Sequence, residues 1–152
     1  MNNGPSAPTF ARPLGPDDLD DLEALDKAYA ERFGLERVVT RSSVGFYVRT
    51  GHAFVAVRAG VAVGFVFAQA VWNGLRPTVF VDRLGAVDGD DAAAYEALLE
   101  AVTKSAYDAA VYDLRVLVPE GDVGAAAALG VKQYGGRSER LYARTLGSRG
   151  QT

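Results

Sequence analysis

The stretch from Ala53 to Ala70, AFVAVRAGVAVGFVFAQA, constrains the fold more than any other part of the chain. β-Branched and aromatic residues fill two runs on either side of Arg58-Ala59-Gly60, which reads as a β-hairpin bounded by turn chemistry. Nearly every position in both arms is apolar rather than every second one, so the hairpin is expected to be covered on both faces. In a chain that also carries helical patterns, this predicts an α/β domain: a mixed sheet with helices packed above and below it.

The rest of the chain supplies the remaining elements. Thr9 to Pro13 is a short strand candidate, and Gly15-Pro16-Asp17-Asp18 starts a helix with acidic residues in its first turn. Leu19, Leu22, Leu25, Ala28 and Tyr29 then recur at helical spacing until Gly34. Ser42 or Ser43 can cap a second short helix running to about Thr50. After the hairpin, a turn at Asn73-Gly74 returns an antiparallel strand, Thr78 to Val87. Ala92 to Asp108 carries one apolar stripe, and Leu114 to Val118 is another apolar strand. Strand, helix and strand in succession predict a right-handed crossover between parallel neighbours. Val123 to Leu129 is a small alanine-rich helix closed by Gly130, and Val131 to Tyr134 with Leu141 to Leu146 are expected to form a closing hairpin around Gly135-Gly136. The domain is drawn at residues 9–146, with flexible tails at 1–8 and 147–152.

Composition narrows the chemistry. The chain has 152 residues, no cysteine and one histidine, His52, which excludes disulfides, thiolate catalysis, iron-sulfur clusters and multi-histidine metal sites. No metal is expected. A formal net charge of -3 offers no global attraction to nucleic acid or to anionic membranes. The start, MNNGPSAP, lacks a basic region followed by an apolar run, and no stretch of about 18 apolar residues follows, so a cytoplasmic protein is expected.

This order of elements, with the VAVRAGVAVGF hairpin and the closing LGV…LYARTL segment, resembles the GNAT superfamily of acyl-CoA-dependent N-acyltransferases over roughly residues 9 to 146. The resemblance implies a mostly antiparallel central sheet with helices on both faces and one parallel crossover. It also implies acyl transfer, with acetyl as the expected group, from acyl-CoA to a small-molecule or peptide amine, with room for a homodimer. Acyl-CoA would enter the gap where the strand at 78–87 parts from that at 114–118. Gly85 and Val87 match the strand end that pairs with the pantetheine arm. Gly89, Asp90, Ala92 and Ala93 match the loop and helix start that cradle the pyrophosphate.

Two departures stand out. The phosphate loop reads Asp88-Gly89-Asp90-Asp91-Ala92-Ala93, with one glycine and no basic residue, so its carboxylates read equally as helix caps. Binding of acetyl-CoA weaker than about 100 μM is therefore expected, and exchange of Asp90 for glycine with Asp91 for arginine should tighten it. The small helix also lacks the tyrosine that many family members use to protonate the leaving thiolate. An unmatched role would leave a GNAT-fold ligand-binding or subunit-interaction module as the alternative to an enzyme.

N-acyl transfer needs a deprotonated amine, hence a general base. Asp82 is the only carboxylate inside the third long strand. Burial beside Phe80 and Leu84 on one face would raise its pKa, while pairing with Arg83 or Arg115 would make it structural. Arg41 falls in a segment that the family uses for substrate access, and Gln69 and Trp72 end the hairpin arm, where they would line an acceptor pocket or pack.

Overall fold

The computed structural model describes residues 7–148, so the outer parts of both expected tails lie outside the described residues. Five strands, β1 (Thr9–Pro13), β2 (Phe54–Arg58), β3 (Val61–Trp72), β4 (Pro77–Ala86) and β5 (Leu114–Val116), form one sheet in sequential order. The first four run antiparallel, and β4 and β5 are parallel. The hairpin turns at Ala59 and Gly60, both with positive φ (52° and 77°), the backbone that matches the strand twist in a two-residue turn.

Helices cover both faces. On one side α1 (Leu19–Phe33) and α2 (Arg41–Val48) bury Leu22, Leu25 and Val44 against Val55, Val57, Phe65 and Phe67. On the other, α3 (Ala92–Asp108) and α4 (Val123–Val131) bury Tyr95, Leu98, Leu99, Val102 and Ala125 against Ala56, Val66, Ala68, Val79 and Val81. Successive strand residues point to opposite faces, which is why a strand covered twice is apolar at nearly every position.

The closing hairpin is a correction. α4 continues through Gly130 to Val131, the chain turns at Gln133 with φ 67°, and residues 135–148 contain no strand. The paired glycines announce a turn locally, but a strand also needs an edge to pair with, and β5 offers only three residues.

His52 is buried, with Nδ1 2.8 Å from Ser105 Oγ on α3, and burial lowers its pKa below the ordinary 6.5. The unfolded chain therefore binds a proton more readily than the folded one, so stability present at neutral pH is lost as pH falls through 6.5. Urea unfolding at pH 7.5 and 5.5 should show a larger loss for the natural chain than for His52→Gln. Equal losses would assign the acid sensitivity to carboxylates alone.

Candidate functional site

β4 carries the central irregularity. Ala68 pairs with Val81 and Phe67 with Arg83, so Asp82 is the extra residue of a β-bulge. A bulge resets side-chain parity: Val79, Val81, Leu84 and Ala86 all face α3, while Asp82 and Arg83 both reach the α1/α2 side. Leu84 is thus on the opposite face from Asp82, contrary to the expectation that they share one. Neither arginine pairs with Asp82: Arg83 bonds Asp26 at 2.9 Å and Arg115 lies 3.9 Å from Asp113.

Asp82 is instead held by neutral groups. Tyr47 Oη of α2 donates to its Oδ2 at 2.5 Å, and Gln69 Nε2 of β3 donates to the same oxygen at 2.8 Å. The Tyr47 ring stacks on Phe67, centroids 4.2 Å apart, and half-exposed Phe46 meets Tyr47 edge-on at 4.9 Å. Burial, then the bond to Asp82, pushes the Tyr47 pKa up, so this hydroxyl remains a donor at neutral pH. Asp82 Oδ1 has no hydrogen-bond partner among the described residues, and since no fully buried side-chain oxygen or nitrogen there lacks a partner, that oxygen is not fully buried. No cation lies within ion-pair distance of Asp82 among the described residues. The result is an oriented, half-buried carboxylate with one oxygen unsaturated.

The other candidates separate. Gln69 joins Asp82, as just described. Strand alternation sends exposed Trp72 to the α3 face, away from Gln69, and Arg41 stands exposed at the first residue of α2. Tyr47 escaped the sequence reading because its partner lies 35 residues away, and nothing in the local pattern announces the contact.

Beyond Val81 the two parallel strands part. Their pairing spans Val79 to Val81 and Leu114 to Val116, with a last bond from Leu117 N–H to Val81 O at 3.1 Å. Past this point Tyr29 of α1 and Tyr95 of α3 both donate to Asp122, the N-cap of α4, at 2.6 and 3.0 Å to Oδ2. Burial pushes both tyrosine pKa values up. Val87, expected to pair with a pantetheine arm, is engaged: its N–H donates to Val63 O, and its carbonyl accepts from Arg32 Nη1. Gly85 lies under Tyr29, whose Cδ1 would stand 3.2 Å from any added Cβ.

The start of α3 is equally committed. Asp91 caps it by accepting from Ala94 N–H, and forms a two-point pair with Arg58 at 2.6 and 2.9 Å, which lowers the Asp91 pKa. Ala92 N–H donates to Asp90 O, and Asp90 N–H to Asp88 Oδ1. Of the first three amides of α3, only that of exposed Ala93 remains for an outside acceptor. Arginine at position 91 would lose the cap and oppose Arg58, so that exchange does not build an anion site. These residues do not fit a pyrophosphate.

A family model described as "Protein of unknown function (DUF1999)" matches residues 11–152. The chain belongs to the DUF1999 family. TTHA1254 from Thermus thermophilus, a solved structure, is 35% identical to this DUF1999 chain, with 91% of this chain and 98% of that one covered at a TM-score of 0.74. Aminoglycoside N-acetyltransferase AAC(6')-Iy in complex with CoA superposes at 0.71 with 16% identity, covering 95% and 99%. An aminoglycoside acetyltransferase, meta-AAC0020, from an uncultured soil metagenomic sample in complex with sisomicin superposes at 0.68 with 13% identity, covering 91% and 97%. The DUF1999 chain therefore has the GNAT acetyltransferase fold, with the expected parallel pair in a mostly antiparallel sheet. The sequence matches no curated protein. No helix among the described residues is long and apolar enough to cross a membrane.

Proposed function

We propose that this DUF1999 chain binds a small-molecule or peptide amine, with the ammonium group held at Asp82. The carrying observation is the carboxylate itself, fixed through Oδ2 by Tyr47 and Gln69 with Oδ1 not fully buried and no cation beside it among the described residues. A protonated amine supplies both the missing charge and the missing donor, a bond of about 1.5–3 kcal/mol. The fold relative in complex with sisomicin, an aminoglycoside acetyltransferase, supports an amine as ligand class.

A second reading, N-acyl transfer from acyl-CoA to that amine, is favoured by the fold and by the relative in complex with CoA. In it Asp82 is the general base that takes the ammonium proton. Calorimetric titration with spermidine, sisomicin and a lysine-containing peptide tests the amine reading. At least one should bind, and Asp82→Asn should weaken it about 10- to 100-fold with the melting temperature nearly unchanged. Equal affinity in natural and variant protein would remove Asp82 from the site. Acetylation of a bound amine, lost in Asp82→Asn, would promote the second reading.

A further inference from the structure

We infer that this chain has turned the gap between β4 and β5 into core, locked by a polar bridge that passes through the sheet from α1 to α3. The two tyrosines come from opposite sides. Tyr29 belongs to α1 and lies over Gly85, whereas Tyr95 belongs to the cluster that α3 buries on the other face. Both hydroxyls end on one carboxylate, Asp122, which also accepts from Ala125 N–H at 3.0 Å. Side chains thus cross the plane of the sheet where its last two strands separate. Tyr29, Tyr95 and Asp122 are 2%, 0% and 1% exposed, so the crossing leaves no passage for a linear ligand arm.

The outer end is shut by backbone. A Cβ on Gly124, in the first turn of α4, would overlap Gly89 O, so the loop before α3 rests directly on α4. Exposed Arg32 of α1 lies along the same end, donating to Ala86 O at 3.2 Å and Val87 O at 3.3 Å. The Val87 amide and the Ala86 and Val87 carbonyls, at the end of the strand matched to the pantetheine arm, are spent inside the protein. An entering ligand would have to break three hydrogen bonds to Asp122, and buried polar groups left without partners are costly. The inference stands apart from the amine reading, since Asp82 lies outside the bridge, and it opposes the acyl-transfer reading, which needs acyl-CoA in this gap.

Coenzyme A and acetyl-CoA, titrated calorimetrically and followed by amide hydrogen exchange, test the closure. The natural protein should bind neither more tightly than about 1 mM, with exchange at residues 82–93 and 119–125 unchanged. Tyr29→Phe combined with Tyr95→Phe keeps both rings and removes both donors, and should speed exchange at 119–125 at least about tenfold. Asp122→Asn, a milder change, should move the same segment in the same direction. Micromolar binding with protection of 82–93, or unchanged exchange in both variants, would overturn the inference.

Discussion

Asp26→Ala is expected to lower the stability of the fold by about 3–5 kcal/mol, the range for removing one partner of a buried ion pair. Asp26 is fully buried, and its Oδ1 accepts from Arg83 Nη1 at 2.9 Å. Its Oδ2 accepts from Val38 N–H at 2.6 Å and Val39 N–H at 3.0 Å. The same guanidinium donates from Nη2 to Glu36 O at 2.9 Å. One carboxylate therefore fastens α1, the loop to α2 and the bulged part of β4 together. Alanine would leave the guanidinium without its counter-charge, and its Nη1 and two amides without an acceptor, in a place with little water. For a chain of this size the loss corresponds to a melting temperature lower by about 6–20 °C. Urea denaturation followed by circular dichroism measures it. Asp26→Leu with Arg83→Met should restore part of the stability, because the stranded charge is gone, but not all, because the amides remain unpaired. A loss below about 1 kcal/mol in Asp26→Ala would mean that water reaches the pair. The α1–α2 loop leads into the helix that carries Tyr47, so the variant should also weaken ligand binding at Asp82.

Asp122→Ala should be comparably damaging, at about 3–5 kcal/mol, for a different reason. Two buried tyrosine hydroxyls and the Ala125 amide lose their shared acceptor, each at about 1–3 kcal/mol before relaxation, and α4 loses its N-cap. Contributions around one carboxylate are coupled, so the total falls short of their sum. The informative comparison is the triple variant Asp122→Ala, Tyr29→Phe, Tyr95→Phe. With no hydroxyl left to satisfy, it should be more stable than Asp122→Ala alone. Were Asp122→Ala to unfold at the same urea concentration as the natural chain, the bridge would carry no weight and the closure argued from it would fail.

The acceptor half of the site was partly legible in the sequence and the donor half was not. Asp82 stands out because it is a lone carboxylate in an apolar strand, and that signal is local. Its partners and its face were hidden. Parity along a strand predicts which face a side chain takes only until a bulge resets it, and the bulge at Asp82 exists through the register of β4 against β3. The acidic loop before α3 was legible as a departure from a phosphate cradle, since charge is read directly. The commitment of Asp91 to Arg58, 33 residues earlier, was not.

What the sequence determined by itself is the set of elements whose cause is local periodicity or turn chemistry: α1, the β2–β3 hairpin, β4, α3 at Ala92–Asp108, and the parallel crossover that follows from strand, helix and strand. What only the tertiary structure decided is everything that depends on atoms distant along the chain. Tyr29 and Asp122 are 93 residues apart and are joined by a hydrogen bond of 2.6 Å. The closing hairpin shows the same division from the other side, with turn residues present and no sufficient strand edge to receive it. Backbone propensity acts over a few residues, whereas pairing, desolvation and hydrogen-bond satisfaction are set by which segments the folded chain brings into contact.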